Sequence, residues 1–207
     1  MKKVLETHYL ENTLEAGIDE AGRGPMFGRL YIGAAILPLD GFEHTLMRDS
    51  KKLSARKRLI AFDYIKENAI DYSIHHVSAA EIDMHNILQA TLNGMHKALD
   101  KLLVAPDYLL VDGSCFNPYE KNEKLIPHKC FTGGDDRYTP IAAGSILAKV
   151  AHDKYIEDIC KDNPELDERY GLLSNKGYGT QQHISGIKEH GISKWHRKTF
   201  GICKQYK

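Results

Sequence analysis

LEAGIDEAGRGPMFGRLYIGAAIL, residues 14–37, consists of two apolar segments joined by a glycine-rich bend. Residues 14–19 have the composition of a short strand, and residues 29–37 have that of a second strand. A bend of about ten residues is too short to contain the crossover helix that two parallel strands require. The stretch therefore predicts an antiparallel hairpin with two adjacent acids, Asp19 and Glu20, where its first strand ends.

The overall composition is that of an ordinary globular protein. Of 207 residues, 42% are hydrophobic and 27% are charged, which suits one sizeable core. No apolar run approaches the roughly 20 residues that cross a bilayer, and the charged start does not resemble a signal peptide. The cysteines, Cys115, Cys130, Cys160 and Cys203, follow no metal-binding spacing. We therefore expect free thiols in a cytoplasmic protein that does not associate with membranes.

The charges are unevenly distributed although the net charge is zero. Residues 48–58 and residues 188–207 are rich in lysine and arginine, whereas residues 153–168 are acidic. Basic patches on a neutral protein favour a local contact with a polyanion such as nucleic acid. Solvated helix faces explain the same pattern equally well, so the charges alone leave both interpretations open.

Capping patterns and periodicity predict the remaining elements. Ser54 is predicted to cap a helix that runs to about Asn68, and Ser78 begins a capping box with the glutamate three residues later. Thr139 followed by Pro140 predicts another helix, with the threonine as its N-cap. Further strands are predicted over residues 71–77, 108–113 and 125–131, and further helices over residues 87–102 and, between Thr180 and Gly191, over residues 181–190. This order predicts an α/β layer fold with a mixed sheet and a helical C-terminal extension.

Acidic residues recur where predicted apolar strands end. Asp19 and Glu20 close the first strand, Asp112 closes the strand YLLVD, and the pair Asp135 and Asp136 precedes a predicted helix. Buried carboxylates are costly unless they are paired or bound to a cation, and an oxygen-only donor set suits Mg²⁺ or Mn²⁺ rather than zinc. Neighbours on an ideal strand point to opposite faces, so both acids cannot reach one ion from ideal strand geometry. Either the end of the first strand twists or a backbone carbonyl oxygen helps to bind the ion.

Three other interpretations of these motifs fail on their context. The glycines of residues 22–28 resemble a dinucleotide-binding loop, but a strand rather than a helix follows them. No GxxxxGK[ST] phosphate-binding loop occurs in the sequence. A receiver domain also gathers acids around Mg²⁺, but it needs parallel strands joined by helices. A metal-dependent phosphoryl-transfer enzyme acting on nucleic acid remains, with a catalytically silent nucleic-acid-binding protein as the rival hypothesis.

Six sequence blocks carry a resemblance to a known family. In chain order they are GIDEAGRGP (17–25), DSKKLS (49–54), LLVDG (109–113), AAGSILAKVAHD (142–153), KGYGT (176–180) and HRKTF (196–200). Together they resemble bacterial-type ribonuclease HII, the type 2 ribonuclease H family, over almost the whole chain. The resemblance implies an α/β, ribonuclease H-like fold, in which helices flank a five-stranded mixed sheet. It also implies a catalytic core over residues 1–165 and a helical extension over residues 166–207 that forms part of the substrate groove.

The resemblance further implies an activity. Members cut the RNA strand of RNA·DNA hybrids, and they cut on the 5′ side of single ribonucleotides embedded in duplex DNA, leaving 3′-hydroxyl and 5′-phosphate ends. The acidic quartet of the family corresponds to Asp19, Glu20, Asp112 and Asp135, which would bind Mg²⁺ or Mn²⁺ and carry out catalysis. The neighbouring Asp136 is a close rival for the fourth position. We expect the protein to act as a monomer on nucleic acid.

The family also assigns residues to substrate binding. The loop of Gly22, Arg23 and Gly24 corresponds to the one that detects the 2′-hydroxyl, since glycines allow the main chain to approach a ligand closely. Tyr178 corresponds to the tyrosine that stacks on the sugar of the following deoxyribonucleotide. The expected contacts to phosphate groups, which position a duplex without reading its sequence, are Lys51, Lys52, Ser145, Lys149, Arg197 and Lys198.

Two places depart from the family pattern. The first block continues as GPMFGRL, with Met26, Phe27 and Arg29 where smaller residues and proline are usual. Gly144 stands where a second small residue is usual, which we expect to be a mild change. Since all of these positions lie outside the GRG loop, they are expected to affect local packing rather than the chemistry.

Overall fold

The hairpin predicted from residues 14–37 lies at the centre of a five-stranded sheet in the computed structural model, which describes residues 4–206. Its two strands pair in antiparallel fashion, and Asp19 stands opposite Gly33. The strands along the chain are β1 (Glu15–Ala21), β2 (Leu30–Ile36), β3 (Asp71–Val77), β4 (Tyr108–Asp112), β5 (Tyr119–Lys121), β6 (Lys124–Ile126) and β7 (His128–Phe131).

The main sheet is mixed. Its strand order is β3-β2-β1-β4-β7, in which β4 runs parallel to both of its neighbours and the pairs on the other side are antiparallel. β5 and β6 form a separate two-stranded sheet. The predicted strand over residues 125–131 is therefore divided between two sheets. The division falls at Pro127, which has no N–H to donate to a ladder.

Helices cover both faces of the sheet. The helix α3 (Ile87–Asp100) packs on the face that carries Ile18, Leu30 and Ile32. The helices α1 (Ala55–Asn68) and α4 (Thr139–Asp162) pack on the opposite face. In the described part of the chain no helix is both long enough and apolar enough to span a membrane. The helices are α1 (Ala55–Asn68), α2 (Ala79–His85), α3 (Ile87–Asp100), α4 (Thr139–Asp162), α5 (Glu165–Tyr170), α6 (Leu172–Asn175) and α7 (Gln181–His190).

Most predicted helix starts are confirmed, and one is wrong by a residue. The hydroxyl of Ser54 accepts a hydrogen bond from Lys57 N, and the capping box at Ser78 is present. For α4, however, the N-cap is Tyr138 and Thr139 is the first helical residue. The Thr139 hydroxyl does not cap the helix. It lies 3.0 Å from Nδ1 of His44 and so joins α4 to the turn that contains this histidine.

The helix α4 lies unusually close to the sheet because glycines line the contact. A Cβ at Gly144 would lie 2.8 Å from the carbonyl oxygen of Gly33 and 3.1 Å from the amide of Asp19, distances that require the backbone to shift. The expectation that Gly144 is a mild change is therefore wrong in this chain. The close approach places Ser145 of α4 directly beside Asp19.

The C-terminal helices form a further apolar cluster, separate from those on the two faces of the sheet. Leu166, Leu172 and Ile187 pack with Ile156 from the end of α4 in this cluster. The residues that depart from the family pattern, Met26 and Phe27, are buried in the same cluster. The loop after β1 is therefore held against the C-terminal region by its larger apolar side chains.

Candidate active site

Two parallel strands bring Asp19 and Asp112 to the same edge of the sheet. β1 and β4 are neighbours in a register that pairs Ile18 with Val111, so the following residues, Asp19 and Asp112, lie side by side. An oxygen of Asp112 accepts a hydrogen bond of 2.7 Å from Gly134 N. An oxygen of Asp19 accepts one of 2.7 Å from the backbone amide of the next residue.

The adjacent acids Asp135 and Asp136 differ in their surroundings. A short 3₁₀ turn over Gly134–Asp136 connects β7 to α4, and within it Asp135 is buried. The side chain of Asp136 is 32% exposed, and its carboxylate lies 2.9 Å from Nζ of Lys52. Burial and the nearby Asp112 favour Asp135 as the fourth acid, although both residues remain candidates.

The site concentrates negative charge in a poorly solvated place. Burial, and after it the charges of Glu20 and Asp112, raise the pKa of Asp19 well above its usual range. Burial, with Asp49 and Asp112 as further causes, raises the pKa of Asp135 to about 6. Burial is also the main reason why the pKa values of Glu20 and Asp112 are raised. Hydrogen bonds relieve part of this cost, and nearby positive charge would stabilise the group as carboxylates further.

The donor set fits a hard divalent cation. Within residues 4–206, no three His, Cys, Asp or Glu side chains already have the arrangement of a finished metal site. The acids nevertheless supply only oxygen atoms, are largely buried and repel one another, which is the environment that Mg²⁺ or Mn²⁺ relieves. Arg23 lies 3.4 Å from Glu20, and Lys51 acts on Asp19 as a partial counter-charge.

A cavity of about 320 Å³ opens next to the acids. It brings together many of the residues expected from the sequence, although they come from four separate parts of the chain. Ser145 is buried at its base, 2.9 Å from the hydroxyl of Ser50, and the ammonium of Lys149 lies 2.7 Å from Asp153. The lining residues are Glu20, Ala21, Gly22, Arg23, Gly24, Ser50, Lys51, Ser145, Lys149 and Tyr178.

Tyr178 stands at this cavity, and the residue is 43% exposed. The ring packs against Gly24, since a Cβ on that glycine would lie only 3.0 Å from the ring atom Cε1. A larger residue at this position would displace the aromatic ring, so the glycine has a packing role as well as giving freedom to the main chain. The loop after β1 and the KGYGT loop thus form one continuous surface.

Arg197 is not placed where a phosphate contact requires it. Its side chain is fully buried, and its guanidinium donates hydrogen bonds to the carbonyl oxygens of Gly28, Arg23 and Gly22, at 2.9, 3.0 and 2.6 Å. Burial lowers the pKa of Arg197 to about 10, which leaves it charged at neutral pH. The prediction for Arg197 is therefore corrected: this residue holds the GRG loop in place from behind.

Two lysines also differ from the expectation. Lys52 is exposed, and its ammonium is paired with Asp136 rather than directed into the cavity. Lys198 lies on a different surface, which it shares with Lys194. The backbone amide of Lys198 donates a hydrogen bond of 2.8 Å to Asp83. The structure therefore separates Lys198 from Lys51 and Lys149, which do line the cavity.

Sequence reasoning missed two buried histidines near the cavity. His183 and His196 lie within hydrogen-bonding distance of each other, behind the loop that carries Tyr178. The only available signal was their place in or just after the KGYGT and HRKTF blocks. Their contact joins two distant segments, so no local pattern predicts it.

Comparisons with known proteins agree with this fold. The family model described as "Ribonuclease HII" matches residues 16–203. The ribonuclease HII of Christiangramia forsetii is 43% identical over 187 residues, which cover 90% of each chain, and that of Parabacteroides distasonis is 44% identical over 198 residues, 95% of each. The crystal structure of ribonuclease H2 from Pyrococcus horikoshii shares the fold with a TM-score of 0.73 at 26% identity, covering 92% of this chain and 95% of the other.

These findings define the class of protein as a metal-dependent ribonuclease H, a hydrolase whose substrate contains RNA paired with DNA. Within that class, the chain belongs to the ribonuclease HII family. The predicted five-stranded mixed sheet with flanking helices and a helical C-terminal region is confirmed.

Proposed function

We propose that this enzyme, besides cutting the RNA strand of hybrids, cuts single ribonucleotides embedded in duplex DNA. The cut falls on the 5′ side of the ribonucleotide and leaves 3′-hydroxyl and 5′-phosphate ends. The observation that carries the proposal is the position of Tyr178. Its exposed ring lies against Gly24 and shares one cavity with Glu20, so an aromatic surface stands beside the acids. A ring in this place can stack on a sugar next to the cut linkage.

The four acids provide the chemistry in this proposal. Asp19, Glu20, Asp112 and Asp135 would hold Mg²⁺ or Mn²⁺, which when bound makes water more acidic and neutralises charge on the phosphate that is cut. Among the chain's own groups, the Asp112 carboxylate is oriented by Gly134 N. The hydroxyl of Ser145 lies close to Asp19, and hydrogen bonding from this side opposes the rise in the pKa of that carboxyl.

The GRG loop is the proposed detector of the 2′-hydroxyl. Arg197 binds the carbonyl oxygens of Gly22 and Arg23, so these oxygens point toward the buried guanidinium. In a trans peptide the N–H points opposite to the C=O of the same unit, and the described residues contain no cis peptide. The amides of Arg23 and Gly24 therefore face away from Arg197. A main-chain donor that approaches the sugar can distinguish RNA from DNA by the 2′-hydroxyl.

The remaining residues position the duplex. Lys51 and Lys149 line the cavity and are the proposed phosphate contacts, together with the buried hydroxyl of Ser145. The extension over residues 166–207 contributes Tyr178 to the same surface, which is why we propose that it forms one wall of the substrate groove. We further propose that the enzyme acts as a monomer in the cytoplasm, where its four free cysteines stay reduced.

The test uses a labelled DNA duplex that contains one ribonucleotide, with EDTA as the control. We expect metal-dependent cutting on the 5′ side of the ribonucleotide. A DNA polymerase should extend the upstream product, which requires a 3′-hydroxyl, and a ligase should join the downstream product, which requires a 5′-phosphate. Products that resist either enzyme would refute the assignment of the ends. Binding of the duplex without any cutting would favour a silent nucleic-acid-binding protein.

The role of Tyr178 has its own matched variants. Tyr178→Ala removes the ring and should reduce cutting at a single ribonucleotide by about tenfold more than cutting of a long hybrid, which is the lower part of the range of about 1–3 kcal/mol for a base stacked on an aromatic ring. Tyr178→Phe keeps the ring and should retain the preference. Equal losses of Tyr178→Ala on both substrates would show that the ring does not act at the junction.

A further inference from the structure

Two buried histidines join the C-terminal segment to the loop that carries Tyr178. Nε2 of His183 and Nε2 of His196 lie 3.0 Å apart, and both side chains are almost completely buried. Phe27 and Tyr170 pack against the ring of His196 in edge-on fashion, so the pair is enclosed by aromatic rings. Neither histidine is one of the residues that line the cavity, and neither contacts the acids.

The outer hydrogen bonds of the pair define where its protons are. Nδ1 of His183 lies 2.9 Å from the carbonyl oxygen of Tyr178, which can only accept, so this nitrogen carries a proton. Nδ1 of His196 accepts a hydrogen bond of 2.9 Å from Ser193 N, so this nitrogen carries none. In neutral rings the remaining proton is therefore on Nε2 of His196, which donates to Nε2 of His183.

Neutral rings are the favoured state in this place. Burial, together with the charge of His183, lowers the pKa of His196 to about 3, and burial also lowers the pKa of His183. At neutral pH the pair thus forms a chain of hydrogen bonds with a single direction, from Ser193 N through both rings to the carbonyl oxygen of Tyr178.

The same short segment also holds the GRG loop. Directly after His196, the guanidinium of Arg197 binds the carbonyl oxygens of Gly22 and Arg23. The backbone amide of Arg197 donates a hydrogen bond of 2.8 Å to Met26 O. Residues 193–197 are therefore attached to the GRG loop through Arg197 and to the loop that carries Tyr178 through the histidine pair.

We propose that His183 and His196 are positioning residues, which hold the ring of Tyr178 against Gly24 and thereby set the preference for single embedded ribonucleotides. The proposal rests on the proposed function, because it assigns a cause to the geometry of the junction contact. The pair lies outside the lining of the cavity, so it would act through Tyr178 rather than by direct contact with a substrate. It acts on the carbonyl oxygen of Tyr178, which accepts hydrogen bonds from both the His183 ring and Thr180 N, while Tyr178 itself lines the cavity.

Two substitutions at His196 distinguish positioning from simple packing. His196→Gln places an amide N–H near the position of Nε2 and keeps a donor for His183. His196→Asn places its amide near the position of Nδ1, so it keeps a partner for Ser193 but does not reach His183. We expect His196→Asn to lower the ratio of kcat/KM on a single ribonucleotide to kcat/KM on a long hybrid by about tenfold. His196→Gln should keep this ratio within about twofold of the parent enzyme.

The outcomes separate this proposal from the proposed function. Suppose that Tyr178→Ala lowers the ratio of the two kcat/KM values. If both His196 variants then leave this ratio at the parent value, or if both change it by the same amount, the histidine pair does not position the ring. If Tyr178→Ala leaves the ratio unchanged, the junction role of the tyrosine itself fails. Thermal unfolding of each variant shows whether it is folded at the assay temperature.

A second measurement tests the hydrogen-bond chain without any substrate. Nitrogen-15 NMR of the folded protein at pH 7 should show His183 as the Nδ1–H tautomer and His196 as the Nε2–H tautomer. The opposite tautomers, or a charged ring in either residue, would overturn the proposal even if the kinetic ratio changed.

Discussion

The substitution Asp135→Asn is expected to stabilise the metal-free protein at neutral pH. The pKa of this carboxyl rises from an ordinary 3.8 to about 6 in the folded state, because it is buried near Asp49 and Asp112. A rise of this size costs the charged form about 3 kcal/mol. Asparagine has nearly the same shape and no charge, so the variant avoids most of that cost. We expect a gain of about 1–3 kcal/mol in the free energy of unfolding. The gain can be smaller than the full cost because the neighbouring acids adjust to the charge of Asp135 in the parent protein.

The sign of the pH dependence follows from proton binding. Between about pH 4 and 6, the folded state holds a proton on Asp135 that the unfolded state has released, so the stability of the parent protein falls as the pH rises through this window. Urea unfolding in EDTA should therefore show the full gain of Asp135→Asn at pH 7.5 and less than about 1 kcal/mol at pH 4. With saturating Mg²⁺ the gain should shrink, because the parent loses its repulsion when a cation binds.

Asp136→Asn is the matched control. Asp136 is more exposed and is paired with Lys52, and a surface ion pair is worth about 0–1 kcal/mol. Since Asp136 is only a minor cause of the raised pKa of Asp135, this variant should change the free energy of unfolding by less than about 1 kcal/mol and show only a small part of the pH-dependent gain. If Asp135→Asn destabilises the protein at pH 7.5, or if the gain appears in Asp136→Asn instead, the electrostatic account of the site is refuted.

Three further predictions concern the site and its supports. Asp112→Asn should reduce metal-dependent cutting by at least about a hundredfold, while fluorescence anisotropy still detects binding of the hybrid. Full activity would remove this residue from the quartet. Arg197→Met leaves buried carbonyl oxygens without donors and should lower the free energy of unfolding by about 3 kcal/mol in urea, whereas Lys198→Met should change it by less than about 0.5 kcal/mol. Gly144→Ala should cost about 1–3 kcal/mol despite alanine's better helix propensity, because its Cβ would lie 2.8 Å from the carbonyl oxygen of Gly33; an unchanged melting curve would contradict the close contact of helix and sheet.

Local patterns predicted much of the fold because they act over a few residues. The short bend after Asp19 excludes a crossover helix, and the antiparallel hairpin is present. The serines at 54 and 78 cap the helices that they were expected to begin. The error at the start of α4 comes from a contact that local patterns do not contain. Thr139 has a suitable side chain for a cap, but its hydroxyl bonds to His44, which is far away in the chain.

Charge and residue type were weaker guides to the surface. Arg197 and Lys198 are adjacent in a basic segment, and the sequence offers no reason to treat them differently. In the structure, Arg197 is buried among carbonyl oxygens and Lys198 is exposed on another surface. Burial depends on which segments pack together, so composition alone does not reveal which cation is available to a phosphate.

The sequence by itself determined the chemistry available to this protein: oxygen donors at strand ends, a glycine loop that admits the main chain, and an order of blocks typical of ribonuclease HII. These features are encoded in residue type and short spacing. Only the tertiary structure decided which of two adjacent aspartates is buried, which arginine supports a loop, and which histidines meet behind Tyr178. Those outcomes depend on contacts between residues far apart in the chain, where packing and desolvation set the energy.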